Sequence, residues 1–360
     1  MKIFTKTTKS LFLLSGLPID QLCQLCIFFF GSMPINFSRK HINLLYSKDY
    51  FMFEKSDGVR GILISLKRKI YLLDRNLILT KIINNSKRID KIFLCAKTTL
   101  IDGELCFNLI IENYEYLIYD LICHCGDWRI STWDLKSRIN ASKYIIKKLD
   151  YFFCKFSIQL KKKDIFKINE IQNLFYRIVE NNFSIDRIYI NYRKKNNLIC
   201  NKNDGVIFAP NKIFYISKFP FITFKWKYEN GNSIDFIIKK HLKRKNKKKT
   251  IFRRLWLYSG TGNINQFKFK NIKKINYNSI LKIFYLNKNE NKVGEYLFNK
   301  KTSDWCFIKN RKDKKNANSI KVVINTLEIM NECFFKNELI DNLFKICLRT
   351  KRGKDFKFFN

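Results

Sequence analysis

The segment from residue 51 to residue 123 constrains the fold most, because short apolar runs alternate there with charged and turn residues. Runs of this length, rich in Ile, Leu, Phe and Tyr, are typical of β-strands and too short for most helices. We predict strands at five of them: 62–66, 70–73, 77–83, 105–111 and 116–123.

Helical spacing replaces this pattern in two later stretches. Leu135, Ile139, Ile146 and Leu149 recur on one helical face, which predicts a helix over Leu135–Phe153. A second helix is predicted over Ile168–Asn181. Strands are predicted again at three places: near 187–190, 205–209 and 221–227. A mixture of this kind indicates the α+β class.

A run of basic residues over 239–249 divides the chain. Such runs are usually solvated linkers, and they also occur as nucleic-acid contacts or nuclear-import signals. Short strand candidates follow between 251 and about 325, then a helical pattern over 326–347, which fits a small β-barrel with a returning C-terminal helix. The predicted division is a first domain, a basic linker, a second domain, and a helix with a tail: 1–238, 239–250, 251–335 and 336–360.

The net charge is strongly positive, with 70 Lys and Arg against 30 Asp and Glu, or +40. An excess of this size suits a polyanionic partner. The chain is also rich in Asn, Ile and Phe and poor in Gly and Pro, which indicates an AT-rich coding background that raises lysine content irrespective of function. The charge therefore permits nucleic-acid binding without demonstrating it.

Several functional classes are disfavoured by the residues that are scarce. Three histidines argue against Ser-His-Asp or Cys-His catalysis, and the sequence has no Gly-x-x-x-x-Gly-Lys-Ser/Thr loop. The 11 cysteines lack regular spacing, which predicts reduced thiols in an intracellular compartment, and Cys23 and Cys26 have no matching second pair for zinc. Residues 19–30 predict a buried helix. We predict no membrane segment, since a span needs about 20 apolar residues.

One lysine has the neighbourhood of a nucleophile. Residues 54–60 read Glu-Lys-Ser-Asp-Gly-Val-Arg, so Lys55 is followed by a carboxylate, a glycine and Arg60. A lysine amine becomes nucleophilic when nearby cations or burial favour its neutral form. The glycine lets the backbone approach a ligand. A lysine in this neighbourhood can form a covalent bond to a phosphate, and the string alone fits equally a surface turn with a salt bridge.

Further blocks accompany this string in a fixed order. Two precede it and six follow it: 31–41 (GSMPINFSRKH), 49–53 (DYFMF), 71–76 (YLLDRN), 100–105 (LIDGEL), 116–120 (YLIYD), 203–208 (NDGVIF), 224–227 (FKWK) and 305–314 (WCFIKNRKDK). Together the blocks resemble the eukaryotic mRNA capping enzymes, or RNA guanylyltransferases, most closely the stand-alone fungal-like type, over roughly residues 28–335.

The resemblance implies a nucleotidyltransferase domain, built of ATP-grasp-like antiparallel sheets with helices, followed by a C-terminal OB-fold β-barrel. It implies that Lys55 attacks the α-phosphate of GTP, releases pyrophosphate and carries GMP to the 5′-diphosphate end of RNA. It also assigns roles in nucleotide binding, here given in chain order: Arg60 and Arg75 near the sugar and phosphates, Glu104 on the ribose hydroxyls, Tyr119 stacked on guanine, Asp204 beside a divalent metal, and Lys225 and Lys227 on the phosphates.

The alternation of side chains along a strand places Lys225 and Lys227 on one face and Trp226 on the other. Two ammonium groups facing one pocket would neutralise phosphate charge and favour the neutral form of Lys55.

The last block implies that Arg311, Asp313 and Lys314 orient the β- and γ-phosphates when the two domains close. The family usually has Arg-x-Arg-x-Asp-Lys there, and Lys309 stands at the first position. Lysine keeps the charge but loses the bidentate fork of arginine.

The resemblance also implies Mg²⁺ or Mn²⁺ as cofactor, GTP and 5′-diphosphate RNA as substrates, and a nuclear location. A separate RNA triphosphatase and the RNA polymerase II C-terminal tail are the expected protein partners, since no phosphatase domain is visible before residue 28. Two alternatives stay open: an ATP-dependent polynucleotide ligase, which shares the lysine chemistry, and a non-catalytic RNA-binding homologue.

Overall fold

The structure is a computed structural model of the 360-residue chain. It describes residues 4–7, 33–47, 49–66, 69–75, 78–82, 98–153, 158–180, 186–193, 197–215, 223–245, 248–258, 264–265, 293–299, 304–311, 314 and 316–355. The predicted helix over 19–30 and the Cys23–Cys26 pair lie outside these residues.

The chain divides into two compact units. The first combines Met1–Trp226 with Lys336–Asn360, and the second is Lys227–Phe335. This division differs from the predicted boundary at residue 238. Residues 227–238 belong to the second unit because the strand that begins at Ser233 pairs there with Val293–Asn299.

The first sheet of the first unit has seven strands, in the spatial order β1-β6-β5-β4-β7-β8-β9. All neighbours are antiparallel except β8 and β9. Its strands are β1 Phe4–Thr7, β4 Val59–Leu66, β5 Lys69–Asp74, β6 Leu79–Ile82, β7 Thr99–Asn108, β8 Asn113–Cys123 and β9 Ile158–Lys162.

The second sheet has the order β10-β3-β13-β12-β11, and β14 pairs with both β13 and β2. Its strands are β2 Ile35–Asn36, β3 Tyr50–Ser56, β10 Phe166–Lys167, β11 Ile178–Glu180, β12 Arg187–Arg193, β13 Asn197–Pro210 and β14 Phe224–Trp226. The two sheets carry all the strand segments predicted between residues 62 and 227.

Five helices accompany the sheets: α1 Ile42–Ser47, α2 Leu135–Phe153, α3 Ile171–Tyr176, α4 Ile320–Glu332 and α5 Lys336–Asp355. Helix α2 has the predicted bounds. The helix predicted over Ile168–Asn181 is shorter, because the chain turns at Arg177 and Ile178–Glu180 pairs with β12.

Helix α2 organises the core that supports the space between the sheets. It begins after Asp134, whose carboxylate accepts from the backbone N–H of Ser137 at 2.9 Å, as an N-capping residue does. Its buried Leu135 and Ile139 pack with Phe51 and Phe53 of β3. Burial of this apolar face holds the second sheet against the helix, at roughly 1.5–3 kcal/mol for each fully buried side chain.

The second unit contains a five-stranded antiparallel sheet in the order β17-β16-β15-β18-β19. Its strands are β15 Ser233–Lys245, β16 Lys248–Tyr258, β17 Ile264–Asn265, β18 Val293–Asn299 and β19 Asp304–Asn310. Its core contains Phe236, Tyr296 and Trp305, with Val323 of α4 packed against them. Part of the region over 251 to about 325 in which strands are predicted, including residues 266–292, lies outside the described residues.

The basic run is not a linker in the structure. Residues 239–245 and 248–249 lie in β15 and β16, which pair from Ile237 opposite Trp256 to Lys245 opposite Lys248. The strand is anchored by Ile234 and Phe236, both fully buried at its start. Backbone pairing extends from this anchor through the charged residues, and composition alone does not reveal such a partner strand.

Helix α5 follows the second unit in sequence and belongs to the first. The guanidinium of Arg39 donates two hydrogen bonds to the carboxylate of Glu338, at 2.5 and 2.6 Å. Lys336 lies 3.7 Å from Glu180 and 5.2 Å from the ring centroid of Phe175. Within the described part of the chain, no helix is long and apolar enough to cross a membrane.

Candidate active site

A pocket lies between the two sheets of the first unit and encloses about 1090 Å³ of empty space, part of it open to solvent. A cleft lined by both apolar and charged side chains is a typical binding site for a small molecule. Five residues predicted from the sequence line it: Lys55, Arg60, Arg75, Glu104 and Tyr119. They come from β3, β4, the end of β5, β7 and β8, so both sheets contribute to one site.

Lys55 lies near the end of β3, and its ammonium forms an ion pair with the carboxylate of Asp204. The register between β3 and β13 shifts between Asn203 and Gly205, so Asp204 occupies a bulge. Gly205 has a φ of 134°, which favours glycine, and the side-chain oxygen of Asn203 accepts from its N–H at 3.1 Å. The bulge turns the carboxylate of Asp204 toward Lys55.

The turn after Lys55 needs glycine. The N–H of Gly58 points at the carboxylate of Glu104 at 3.3 Å, and a Cβ at Gly58 would lie 2.7 Å from the carbonyl oxygen of Leu105. Such a contact is too short for a real Cβ. The glycine therefore allows β7 to pass directly behind the turn, which brings Glu104 within 2.7 Å of the Ser56 hydroxyl.

Arg60 is held by a buried carboxylate that the sequence did not predict. Its Nε and Nη2 donate to Asp102 at 3.1 and 2.6 Å. Asp102 is 0% exposed and also accepts from the Tyr215 hydroxyl at 2.6 Å. Although burial alone would lower the pKa of Arg60, the charge of Asp102 raises it well above its usual value. Arg60 is thus a fixed cation in the pocket wall.

Gly103 leaves room for the ring of Tyr116 against β7, between the two carboxylate residues Asp102 and Glu104. A Cβ there would lie 2.7 Å from ring atoms of Tyr116. The Tyr116 ring instead crosses the strand, and its hydroxyl reaches the carbonyl oxygens of Gly61 and Ile101 at 2.7 and 3.0 Å. The Asp102-Gly103-Glu104 sequence therefore lies within a strand and presents both carboxylates to the pocket.

A second cation, Lys163, lines the pocket from the segment after β9. Its ammonium donates to the Ser56 hydroxyl at 2.5 Å and lies 3.3 Å from Glu54 and 3.6 Å from Glu104. Burial alone would lower the pKa of Lys163, but the two carboxylates outweigh that effect and raise it. Lys163 is therefore charged although it is buried.

Tyr119 offers an aromatic face between these two cations. The Arg60 guanidinium lies 5.3 Å from its ring centroid, and the Lys163 ammonium lies 5.8 Å from it. Burial, opposed by Arg60 and assisted by Asp102, raises the pKa of Tyr119 well above its usual value, so the phenol stays neutral. Ile207 lines the same pocket from β13 in the other sheet.

A buried ion pair forms one end of the pocket. Arg138 of α2 donates to both oxygens of Asp120 at 2.7 and 2.9 Å, and to the carbonyl oxygen of Ile213 at 3.1 Å. Its guanidinium lies 5.9 Å from the Tyr215 ring. The pair links the strand that carries Tyr119 to the segment that carries Tyr215.

Lys225 reaches the same face of the second sheet as Lys55. It lies opposite Ile207 in the ladder between β13 and β14, and paired residues share a face. Trp226 is on the other face, 2% exposed, with its ring 5.8 Å from that of Phe175. The block over 31–41 supports β14 from its open edge, since β2 pairs with it and the His41 ring stacks on Phe224 at 4.6 Å.

The remaining predicted residues belong to the second unit. Lys227 donates to the carbonyl oxygen of Gly231 at 3.2 Å. Arg311 lies 3.2 Å from Asp235 and 3.5 Å from Glu295, and Lys314 pairs with Asp235. Asp313 lies outside the described residues.

Lys309, the departure from the family pattern, is 58% exposed and 3.8 Å from Glu295. It keeps one carboxylate contact in common with Arg311, which also approaches Glu295.

Sequence reasoning assigned no role to most other residues of the pocket wall, among them the polar side chains of Asp102, Arg138, Lys163 and Tyr215. Asp102 could have been predicted from the sequence, because it stands two residues before Glu104 and therefore shares its face of a strand. Lys163 ends a run of three lysines in a lysine-rich chain, so its sequence context did not distinguish it. Within the described part of the chain, no group of three or more His, Cys, Asp or Glu side chains forms a metal cluster.

Each of the two units matches the model of a known protein family. The family model described as mRNA capping enzyme, catalytic domain, matches residues 17–229, and the model described as mRNA capping enzyme, C-terminal domain, matches residues 231–340. The mRNA-capping enzyme subunit alpha of Schizosaccharomyces pombe is 26% identical over 348 residues, which cover 87% of this chain and 79% of that protein.

Other relatives match over a smaller share of their own length. The subunit alpha of Neurospora crassa is 26% identical over 57% of this chain and 52% of that protein. The mRNA-capping enzyme of Caenorhabditis elegans is 22% identical over 83% of this chain and 46% of that protein. A solved mycobacterial DNA ligase D complexed with ATP and MES covers 79% of this chain and 96% of its own, at 10% identity and a TM-score of 0.40, which carries no argument by itself.

Proposed function

Because the chain belongs to the mRNA capping enzyme family and is an mRNA guanylyltransferase, we propose that Lys55 is the residue that carries GMP. One observation supports this choice above the others. The ammonium of Lys55 lines the pocket in contact with a carboxylate, Asp204, and two arginines line the same pocket. An amine held beside cationic groups is suited to attack a phosphate.

In the proposed first half-reaction, the Lys55 nitrogen attacks the α-phosphorus of GTP. A P–N bond forms, the P–O bond to the β-phosphate breaks, and pyrophosphate leaves. Asp204 holds the amine in place and accepts its proton. In the second half-reaction, a terminal oxygen of the 5′-diphosphate RNA attacks the same phosphorus and forms a P–O bond. The P–N bond breaks as the Lys55 nitrogen takes back a proton from Asp204, and GMP joins the RNA.

We propose the remaining roles of first-unit residues from the positions of their side chains, and those of Lys227, Arg311, Asp313 and Lys314 from family membership. The guanine base lies between the Tyr119 ring and Ile207, which line the pocket from different sheets. Glu104 accepts from the ribose hydroxyls, while Arg60 and Arg75 contact sugar and phosphate. Lys225 and Lys227 neutralise phosphate charge, and Arg311, Asp313 and Lys314 orient the departing pyrophosphate. The first unit is the nucleotidyltransferase domain and the second the OB-fold domain.

Lys163 is proposed as the group that distinguishes guanine from adenine. Guanine presents an oxygen acceptor at position 6, whereas adenine presents an amino donor there. An ammonium has only donors, so Lys163 attracts the first and leaves the second unpaired. Its place beside the Tyr119 ring puts it within reach of the edge of a base stacked on that ring.

Lys163→Met is expected to lower the preference for GTP over 2-aminopurine riboside triphosphate by roughly 10- to 100-fold, the loss of one hydrogen bond to a charged donor. This analogue keeps the 2-amino group and lacks the oxygen at position 6. The measurement is the ratio of the two kcat/KM values for adduct formation, which does not depend on the fraction of folded enzyme. An unchanged ratio would refute the role of Lys163 in base recognition.

We also propose a divalent cation, Mg²⁺ or Mn²⁺, as cofactor. The carboxylate of Asp204 beside Lys55 fits such an ion, because magnesium is usually bound through one or two carboxylates together with substrate phosphates and water. The ion would supply charge neutralisation on the triphosphate. Asp204 would then serve both the ion and the Lys55 amine.

The deciding experiment is adduct formation with α-labelled GTP or ATP, with divalent cation or with EDTA. We expect a labelled protein band with GTP and Mg²⁺ or Mn²⁺, stable to denaturation, and at least about 100-fold less with EDTA. An adduct with ATP alone would favour the ligase alternative, and intact RNA binding without any adduct would favour a non-catalytic homologue.

Separate partners are proposed for the other steps of capping. The fungal relatives are named subunit alpha, which supports a second subunit, and we propose that it is the RNA triphosphatase. The net charge of +40 suits the phosphorylated tail of RNA polymerase II, and a nuclear location follows from that partner. Co-purification of a triphosphatase with the tagged chain from nuclei would test these proposals together.

A further inference from the structure

A buried carboxylate stands directly before the proposed nucleophile and has no part in the steps above. Glu54 is 0% exposed, on the face of β3 opposite to Lys55. Burial raises the pKa of its carboxyl group, and the charge of Lys163 opposes that shift. Burying a charge without a partner costs free energy, so a group of opposite charge must lie close to Glu54.

That partner is Lys163, and the geometry limits where its ammonium can point. An ammonium has three N–H donors. Ser56 accepts one at 2.5 Å and Glu54 lies at 3.3 Å, whereas Glu104 at 3.6 Å is beyond ordinary hydrogen-bond range. The Glu54 contact is an ion pair without a hydrogen bond, so Ser56 fixes one N–H direction and the charge of Glu54 holds the ammonium beside β3. The remaining donors include one that can face Glu104 and the pocket.

The charges around the ammonium come from two strands. Glu54 lies on β3, and Glu104 and Cys106 lie on β7. The Cys106 thiol has a pKa raised well above its usual value by burial and by Glu104, so it stays neutral. Removal of the Glu54 charge leaves Glu104 as the only carboxylate among these groups, which draws the ammonium toward the ribose side of the pocket.

We propose that Glu54 is a positioning residue that aims Lys163 at the base and so sets the preference for a purine with an oxygen at position 6. The inference rests on the proposed role of Lys163. Glu54 touches no substrate, and its effect passes through the direction of one N–H bond.

The test is Glu54→Gln, which keeps the shape and removes the charge. We expect the ratio of kcat/KM for GTP to that for 2-aminopurine riboside triphosphate to fall roughly 10-fold, since hydrogen bonds to an ionised partner are about twice as strong as neutral ones. The loss appears mainly in KM for GTP. If the role of Glu54 is purely structural, Glu54→Gln lowers kcat/KM equally for both substrates and leaves the ratio unchanged. That result would overturn the proposal.

The chain offers a matched control. Glu115 is 1% exposed and pairs with Lys161, two residues before Lys163, yet neither residue lines the pocket. Glu115→Gln removes an equivalent buried charge from the other sheet of the first unit. We expect it to lower the melting temperature comparably and to leave the ratio within about 2-fold of wild type. A large shift of the ratio in Glu115→Gln would contradict the proposal.

A double-mutant cycle separates this inference from the one on which it rests. In a Lys163→Met background, Glu54→Gln should cause no further change in the ratio, because it acts through Lys163. If Lys163→Met leaves the ratio unchanged, base recognition by Lys163 is wrong. If Lys163→Met lowers it and Glu54→Gln does not, only the role of Glu54 is wrong.

A second variant covers poor folding of Glu54→Gln. Glu54→Asp keeps the charge but withdraws the carboxylate by one methylene group, and we expect an intermediate ratio. A wild-type ratio in both variants would overturn the proposal.

Discussion

Lys55→Ala is expected to abolish the labelled protein adduct with GTP, with a loss on the order of 10⁴-fold or more, as for removal of other covalent nucleophiles. The physical reason is that the other described lysines near the site, Lys163 and Lys225, are less suited to form the P–N bond. Lys163 is held by Ser56 and two carboxylates, and Lys225 starts from another strand. The measurement is labelled GMP retained on the denatured protein, with GTP and divalent cation in excess.

Lys202→Ala is the control for this prediction. Lys202 lies in β13, is 48% exposed, and pairs with Asp186 at 2.7 Å on the surface. Its replacement also removes one positive charge, and we expect wild-type adduct within about 2-fold. A Lys55→Ala protein that melts like wild type and still retains GMP would show that another lysine is the nucleophile.

Asp102→Ala is expected to lower the free energy of unfolding by about 3–5 kcal/mol, because it leaves the buried Arg60 guanidinium without its charge partner. The Tyr215 hydroxyl loses its acceptor as well. Arg60 is 6% exposed, so water cannot replace the lost carboxylate. Urea denaturation of the apo protein measures the loss, and adduct formation is expected to fall with it because Arg60 is no longer fixed in the pocket wall.

Asp186→Ala provides the comparison for this second prediction. Its carboxylate also pairs with a cation, Lys202, but it is 52% exposed and water solvates both groups after the change. We expect Asp186→Ala to lower the free energy of unfolding by less than about 1 kcal/mol. If Asp102→Ala lowered the free energy of unfolding no more than Asp186→Ala does, the buried ion pair would contribute no more stability than a surface pair. The prediction for Asp102 would then be wrong.

The sequence predicted the helix over Leu135–Phe153 and most strands of the first unit, because apolar spacing reports which face of an element is buried. It did not predict that residues 239–245 form part of β15. A charged run carries no apolar spacing, and its structure depends on pairing with β16, where residues 239–245 lie opposite residues 248–254. The same limitation explains why the helix predicted over Ile168–Asn181 is too long. Pairing of the chain with β12 ends the helix earlier.

The order of the short motifs, by itself, identified the family and singled out Lys55, since covalent chemistry requires one residue type at a fixed spacing from its glycine and cations. Only the tertiary structure decided which groups surround it. Asp204 meets Lys55 through a bulge in β13, and Lys163 meets Glu54 and Glu104 because a segment after β9 passes beside β3 and β7. Ion pairs of this kind depend on which strands are neighbours in space, and residue order along the chain does not specify them.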